Sequence, residues 1–199
     1  MSEDIVNIIG NGQSAGYFRD NQRGIRLTCN LPPMAIDNVF ATIMVDFKMM
    51  RAIQDGSVQV PGHWVLGNRP KIHMEQNSSF YLRHASQIRG FYLDVPPYAR
   101  NATDFNCGHV ATHYGVSRWK PKVCNMFGFN SIFDFDMTSS TDFYLESDRG
   151  QQNTNRLANN WRGIWPQLFK EFPDTEFRLF HKHPNTKMEC PQNVTIVTP

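Results

Sequence analysis

A glycine-asparagine-glycine turn directly after a short apolar run is the first feature of this sequence that could do chemistry. Gly10-Asn11-Gly12 follows Ile5–Ile9, and Ser14 stands shortly after the turn. Glycines allow a ligand to approach the backbone closely. A helix that begins here would present unpaired amide groups to an anion. Asn11 could then bind a phosphate or ribose oxygen. A plain strand-to-helix turn explains the same residues, because alanine occupies the last glycine position of a full GxGxxG pattern.

Other polar residues also follow apolar runs, as the ligand-binding residues of parallel sheets do. Asn30 ends the run that begins at Ile25, and it could contact a nucleotide sugar or a base edge. A turn asparagine before the following prolines is the alternative. Asp46 could bind a sugar or a metal, although an aspartate that caps a helix is the commoner case. Asn130 follows a further apolar run and belongs to the same group of candidates.

The segment Asn106-Cys107-Gly108 precedes a stretch of small and apolar residues that predicts a buried helix. Its amides and side chains could donate to a base or a phosphate. His109 and His113 lie one helical turn apart, but the HExxH pattern and a third ligand are missing, so we expect no zinc there. No base is paired with Cys107 in the sequence, and a buried thiol is the simpler interpretation.

Residues 134–160 form a polar stretch that could be a mobile loop or a lid over a site. Within it, Asp142 and Asp148 are candidates for a general base. Arg149 and Arg156 could neutralise phosphate charge as a nucleotide leaves. Solvated surface charge explains these residues as well. We interpret His181 and His183, near the last predicted strand, as surface residues, and the sequence predicts no metal site.

All of these residues must be positioned by strands and helices, which the sequence indicates as apolar, β-branched runs that alternate with helical stretches. This pattern predicts an α/β fold, a single Rossmann-like domain over residues 1–199 with a mostly parallel sheet and a polar lid region at 134–160. In such sheets, ligands bind beyond the carboxyl ends of the strands. The candidates above should therefore converge at one edge of the sheet.

The composition is that of an ordinary globular protein. The chain has 199 residues, of which 40% are hydrophobic, and a formal net charge of +2. Its four cysteines form no CxxC pair, which argues against a structural zinc site. We find neither a signal peptide nor a membrane span, so we expect a cytoplasmic protein with free thiols. The aromatic content hints at self-association.

Five short segments follow one another in a recognisable order. They are Ile8–Ser14, Leu27–Asn30, Asn106–Gly108, Val123–Asn130, and Phe177–Phe180 with Pro184-Asn185. In this order they resemble the small bacterial α-2,3/2,8-sialyltransferases, glycosyltransferase family 42, and the related flagellin-glycosylation accessory proteins. The first is similar to the family's opening IIxGNGPS, the second to its R-C-N strand end, and the third stands where the family has T-S-G. The fourth is similar to its I-Y-L-S-G-I-D strand and turn, and the fifth to its K-L-Y…P-N close.

The resemblance implies a cytidine nucleotide held by the first three motifs, and sugar transfer without a metal. The residues matched to nucleotide binding are Asn11, Asn30, Asn106, Cys107 and Gly108. The family's catalytic histidine has no counterpart, since no histidine lies between positions 113 and 181. Asp142 or Asp148 in the polar stretch would take its place.

The sequence therefore predicts a glycosyltransferase that moves a sugar from a CMP- or UDP-linked donor to an acceptor hydroxyl. The nucleotide sugar is a co-substrate, and no further cofactor is required. The acceptor could be a glycan, a protein or a hydroxylated DNA base, for which basic and aromatic residues could build a groove. These residues are Arg69, Lys71, Arg83, Arg89, Arg118, Lys120 and Lys122, with Trp64, Tyr81 and Trp119. A non-catalytic nucleotide-binding protein of the same fold is the alternative. A methyltransferase-like enzyme is less consistent with the short glycine turn.

Overall fold

The computed structural model of the chain describes residues 4–99, 105–134, 145 and 150–199, with the side chains of 150–158 left out. Asp142, Asp148 and Arg149 lie outside the described residues, and so does the side chain of Arg156. Among the described residues, no helix combines the length and the apolar character that crossing a membrane requires.

The centre of the molecule is one sheet of eight strands, and all of its neighbouring strands pair in parallel. The strands are β1 (Ile5–Ile9), β2 (Ile25–Cys29), β3 (Ala41–Met44), β4 (Trp64–Leu66), β5 (Ile88–Phe91), β6 (Val123–Phe127), β7 (Glu176–Phe180) and β8 (Val194–Val197). The predicted α/β class with a Rossmann-like single domain is confirmed. Because every neighbouring pair is parallel, each connection returns the chain to the same edge of the sheet before the next strand.

The strand order is β5-β4-β3-β2-β1-β6-β7-β8. The chain builds outward from β1 to β5, then crosses back and continues on the other side of β1 with β6. The order therefore reverses between β1 and β6. In open parallel sheets, ligands bind beyond the carboxyl ends of the strands near such a reversal. We call the edge where the strands end the carboxyl edge; it is marked by the residues that directly follow β1, β2, β6 and β7, which are Gly10, Asn30, Gly128 and His181.

Helices cover both faces of the sheet. They are α1 (Phe47–Gln54), α2 (Asn68–Gln76), α3 (Ser78–His84), α4 (Cys107–Trp119) and α5 (Gly150–Glu171). Short 3-10 helices occupy Gln13–Tyr17, Ala85–Gln87 and Asn130–Ile132. The α4 and α5 side contains the largest buried cluster, to which Ile8 of β1, Ala111 of α4 and Trp165 of α5 belong. The other side holds the clusters of α1 with α2 and of the first 3-10 helix.

Alternate residues of each strand face the two helical layers, as the pleat requires. In β1, Val6 and Ile8 pack towards α4 and α5, whereas Ile9 packs towards the first 3-10 helix. Asn7 also lies on that second face, where its side-chain oxygen accepts a hydrogen bond from Asn125 of β6 at 2.9 Å. β1 is thus central and buried on both sides, as its apolar sequence predicts.

Two elements differ from the sequence prediction. The polar stretch 134–160 was expected to be loop or lid, but α5 begins at Gly150 and takes up its last part. Its first turns are rich in Gln and Asn and lack an apolar period, so periodicity did not reveal them. Pro166 lies inside this helix. The edge strand β8 was not predicted, because Val194–Val197 is short and partly exposed.

Candidate functional site

The turns after β1 and β6 are joined to each other at the reversal of strand order. The amide of Gly10 donates to the carbonyl of Phe127 at 2.7 Å, and the amide of Gly12 donates to that of Gly128 at 3.0 Å. A Cβ on Gly10 would lie 2.8 Å from the Gly128 oxygen. These glycines therefore allow two backbones to touch, and their amides are engaged within the protein.

The side chain of Asn130 forms further hydrogen bonds between the segments that follow β1 and β6. Its Oδ1 accepts hydrogen bonds from the amide and the hydroxyl of Ser14, at 3.1 and 2.8 Å. The Ser14 hydroxyl in turn accepts from the amide of Gly128 at 3.1 Å. Gly12 lies beneath this contact, since a Cβ there would be 2.3 Å from Asn130 Oδ1. Of the predicted turn, Asn11 is half-buried and Gln13 is exposed, so these two residues face outward.

Asn30 has an unusual position at the end of β2. Its backbone is left-handed, with φ of 45°, and the residue is only 6% exposed. Asparagine tolerates this conformation better than most residues do. Its Oδ1 is buried and has no hydrogen-bond partner among the described residues. A buried acceptor without a donor costs about 1–3 kcal/mol, which a ligand that supplies a donor would recover.

The first turn of α4 lies beside Asn30. The Cys107 thiol donates to the carbonyl of Ile43 at 2.9 Å, and the Asn30 amide, which donates to the same carbonyl at 3.0 Å, also approaches the sulfur. Burial raises the pKa of the Cys107 thiol well above its ordinary value, which disfavours the nucleophilic thiolate form. A Cβ on Gly108 would lie 2.7 Å from the Phe129 ring, which brings the turn after β6 against the same helix start.

Asn106 and His109 close the start of α4 as a reciprocal cap. The side chain of Asn106 accepts from the His109 amide, and the His109 ring accepts at Nδ1 from the Asn106 amide, both at 3.1 Å. The oxygen of Asn106 is therefore used by the helix itself. Within the described part of the chain, the amides of Cys107 and Gly108 have no such partner. They are the two donors that this helix start can offer to a ligand.

The two histidines of α4 do not form a metal site. The second nitrogen of His109 lies 3.3 Å from the carbonyl of Trp161, and burial lowers the pKa of His109 to about 3. His113 contacts the hydroxyl of Tyr92 at 2.6 Å and the carboxylate of Glu171 at 3.2 Å. The nitrogens of the two rings therefore face separate partners within the protein.

The remaining candidates fall into separate places. Asp46 pairs with Arg69 at 3.3 Å and does not cap α1 with its side chain. Trp64 is 1% exposed and therefore offers no surface on which a nucleotide base could stack. Trp119 ends α4, at the opposite edge of the sheet from Asn30. Of the basic and aromatic residues proposed for a DNA groove, Arg118 lies over the Trp119 ring at 5.3 Å, and Arg118 and Arg89 both lie over Phe40.

Sequence reasoning missed a group of side chains beside Asn130. Asp134, His181 and His183 bring their polar atoms together at the carboxyl edge, after β6 and β7. His181 is fully buried, whereas the sequence suggested a surface histidine. The sequence did contain an indication for His181, because this residue directly follows a predicted strand, as Asn30 does.

The structure thus gathers the predicted residues of the turn after β1, Asn30, the start of α4 and Asn130 at one edge of the sheet. Among them, Asn30 has a buried side-chain oxygen that lacks a donor among the described residues, and Asn11 is half-buried in the turn after β1. Comparison of the chain with protein-family models, with curated proteins and with solved structures finds no match in any of the three.

Proposed function

We propose that the chain binds a nucleotide sugar at the carboxyl edge, where the strand order reverses between β1 and β6, and transfers its sugar to an acceptor hydroxyl. The general rule for open parallel sheets supports the location, because loops on either side of such a reversal leave a crevice for a ligand. The five-motif resemblance supports the ligand class.

The observation that carries the proposal is the buried Oδ1 of Asn30, which lacks a donor among the described residues. A nucleotide offers such donors in ribose hydroxyls and in the amino groups of bases. The backbone of Asn30 at the end of β2 is held by the hydrogen bond that its N–H group donates to the carbonyl of Ile43. Binding therefore needs little reordering of this residue, which favours affinity.

The start of α4 carries a partial positive charge that would complement the negative charge of the phosphate. The amides of Cys107 and Gly108 lie in the first turn of a helix of 13 residues. The partial positive charge of a helix N-terminus favours a phosphate. We therefore assign the nucleoside to the side of Asn30 and the phosphate to the start of α4. Asn11 would contact the sugar or phosphate from the turn after β1.

The proposed reaction is a displacement at the anomeric carbon. The acceptor oxygen forms the new glycosidic bond, the bond from the anomeric carbon to the phosphate oxygen breaks, and the nucleotide leaves with the electron pair. Asp142 or Asp148 would take the acceptor proton, and Arg149 and Arg156 would stabilise the departing phosphate. The donor is a CMP- or UDP-linked sugar, and the acceptor is a glycan, a protein or a hydroxylated DNA base.

Asn30→Gly tests the binding half of the proposal. Glycine adopts a positive φ without strain, so the variant deletes the acceptor and leaves the fold intact. Asn38→Gly is the matched control, because Asn38 is exposed and also left-handed, with φ of 54°. We expect one of CMP, UDP, GDP or their sugars to raise the melting temperature of wild type and N38G. The Kd for that ligand should be about tenfold weaker in N30G, the equivalent of one hydrogen bond. Equal affinity in N30G and N38G would contradict the assignment.

Release of nucleotide tests the catalytic half. With a stabilising nucleotide sugar, wild type should release free nucleotide slowly to water and faster when the right acceptor is added. Loss of the general base should reduce this rate about a hundredfold. We expect this reduction in one of the two variants Asp142→Asn and Asp148→Asn. Unchanged rates in both variants would remove these two residues from the mechanism. Tight binding without any release would identify the chain as a non-catalytic nucleotide-binding protein.

A further inference from the structure

Two histidines and an aspartate converge just beyond the ends of β6 and β7. Asp134 Oδ2 lies 3.1 Å from Nε2 of His181, and Asp134 Oδ1 lies 2.9 Å from Nε2 of His183. One polar atom from each of the three residues lies within 4.8 Å of the others. Ligand atoms around a tetrahedral zinc are separated by about 3.3 Å, given bonds of about 2.0 Å, so this spacing is close to that of a metal site.

The surrounding structure holds these side chains in place before any ligand arrives. The His181 ring stacks on Phe133 at 4.0 Å with an angle of 2°. Arg162 donates to the carbonyl of Asp134 at 2.7 Å and to that of Ser131 at 2.6 Å. These contacts immobilise the turn that carries the carboxylate. A preorganised set of ligands is what distinguishes a metal site from a chance surface cluster.

Each nitrogen of His181 lies near two polar groups. Nε2 is 3.1 Å from Asp134 Oδ2 and 3.5 Å from the NH₂ group of Asn130. Nδ1 is 3.4 Å from the amide of His183, which can donate to it, and 3.3 Å from the carbonyl of His183. When Nε2 binds a metal, the proton of the ring lies on Nδ1, where that carbonyl can accept it. Metal-bound histidines commonly donate their second nitrogen to a carbonyl in this way.

Nε2 of His181 and Oδ2 of Asp134 lie 3.1 Å apart. Without a metal, a proton on Nε2 lets His181 donate a hydrogen bond to the carboxylate. With a metal, the lone pairs of both atoms become ligands. A divalent metal ion would satisfy both atoms at once.

We infer that His181, His183 and Asp134 bind one zinc ion, through two imidazole nitrogens and one carboxylate oxygen. Two nitrogens and one oxygen suit Zn²⁺, and three protein ligands leave a coordination position for water or for an oxygen of a substrate. The side chains of Asp134 and His183 are 23% and 32% exposed, so the open position faces solvent at the carboxyl edge. This inference does not rest on the proposed sugar transfer, and it departs from the metal-free transfer that the family resemblance implies.

Zinc titration of the metal-stripped full chain, without any nucleotide, tests the inference. We expect wild type to bind one equivalent of Zn²⁺, and Co²⁺ in its place to give visible absorption bands of a site with nitrogen and oxygen ligands. His183→Gln and Asp134→Asn should each lose the bands and weaken zinc binding at least tenfold, by the usual cost of removing a ligand or its partner. His63→Gln is the control, since His63 is exposed and lies at the opposite edge, just before β4.

H183Q keeps the test informative if the buried ring of His181 proves necessary for folding, because His183 is partly exposed. Circular dichroism and the melting temperature would establish that this variant is folded. Equal zinc affinity in wild type, H183Q and D134N would overturn the inference, as would the absence of zinc binding to wild type. In that case the cluster is a hydrogen-bonded trio in which Asp134 accepts from both rings. Either result leaves the nucleotide test with N30G unaffected.

Discussion

Gly12→Ala should lower the free energy of unfolding by about 3 kcal/mol, the upper part of the range for forcing an extra methyl group into a packed site. The new Cβ would lie 2.3 Å from Asn130 Oδ1 and 2.8 Å from the carbonyl oxygen of Gly128. Asn130 has little freedom to retreat, because its Oδ1 accepts two hydrogen bonds from Ser14. The substitution must therefore separate the turns after β1 and β6. For a chain of this size, the melting temperature should fall by about 10 °C.

Gly16→Ala is the matched control for this substitution. Gly16 belongs to the same 3-10 helix that follows the turn, yet a Cβ there would meet no atom within 4 Å. Alanine restricts the unfolded chain, so this variant should be stabilised by up to about 1 kcal/mol. Chemical denaturation of the two variants gives the comparison. If G12A and G16A proved equally stable, the close junction of the two turns would be wrong.

The stability of the protein should also decrease steeply in mild acid because of His109. This ring is fully buried between Phe105 and Trp165, with centroid distances of 5.4 and 4.2 Å. Its Nδ1 accepts a hydrogen bond from the amide of Asn106. A proton added to Nδ1 would therefore face the amide hydrogen of Asn106 and break this hydrogen bond. Burial accordingly lowers the pKa of His109 from 6.5 to about 3 in the folded chain.

The sign of the effect follows from the two pKa values. Above pH 6.5 the ring is neutral in both states, and its contribution to stability is complete. As the pH falls towards about 3, the unfolded chain binds a proton that the folded chain does not. The free energy of unfolding should therefore fall by about 1.4 kcal/mol per pH unit from this group between pH 6 and pH 4.

His109→Gln isolates this contribution. The variant should be less stable than wild type at pH 7 by about 2 kcal/mol, because it loses ring packing in the core. The free energy of unfolding of H109Q should depend less on pH than that of wild type, and the difference in slope should correspond to the uptake of about one proton. The stabilities of the two proteins should therefore become more similar as the pH falls. Urea denaturation at pH 7.0, 5.5 and 4.5 measures both slopes. Parallel curves for wild type and H109Q would show that His109 is protonated alike in the folded and unfolded states.

The strands of the sheet were largely predictable from the sequence. Ile5–Ile9 and Ile25–Cys29 were predicted as strands because most of their residues are apolar or β-branched, and they form β1 and β2. Short or polar elements were harder. Val194–Val197 is too brief to stand out, and the first turns of α5 carry no apolar face on which a periodicity could be seen.

The candidate site was predictable in its location but not in its hydrogen bonds. Asn11, Asn30 and Asn130 were identified because each follows a strand. That the amides of Gly10 and Gly12 are engaged by Phe127 and Gly128 depends on strand pairing between distant segments, and a local pattern carries no such information. The same holds for His181, whose partner Asp134 lies 47 residues away in the chain.

Amide NMR spectroscopy during titration with a nucleotide tests the central claim most directly, since it reports which residues a ligand approaches. The account predicts that the largest chemical-shift changes occur at Asn11, Asn30, Cys107 and Gly108, at the carboxyl edge between β1 and β6. Changes confined to the opposite edge, around Trp119, or no changes with CMP, UDP or GDP and their sugars, would contradict it.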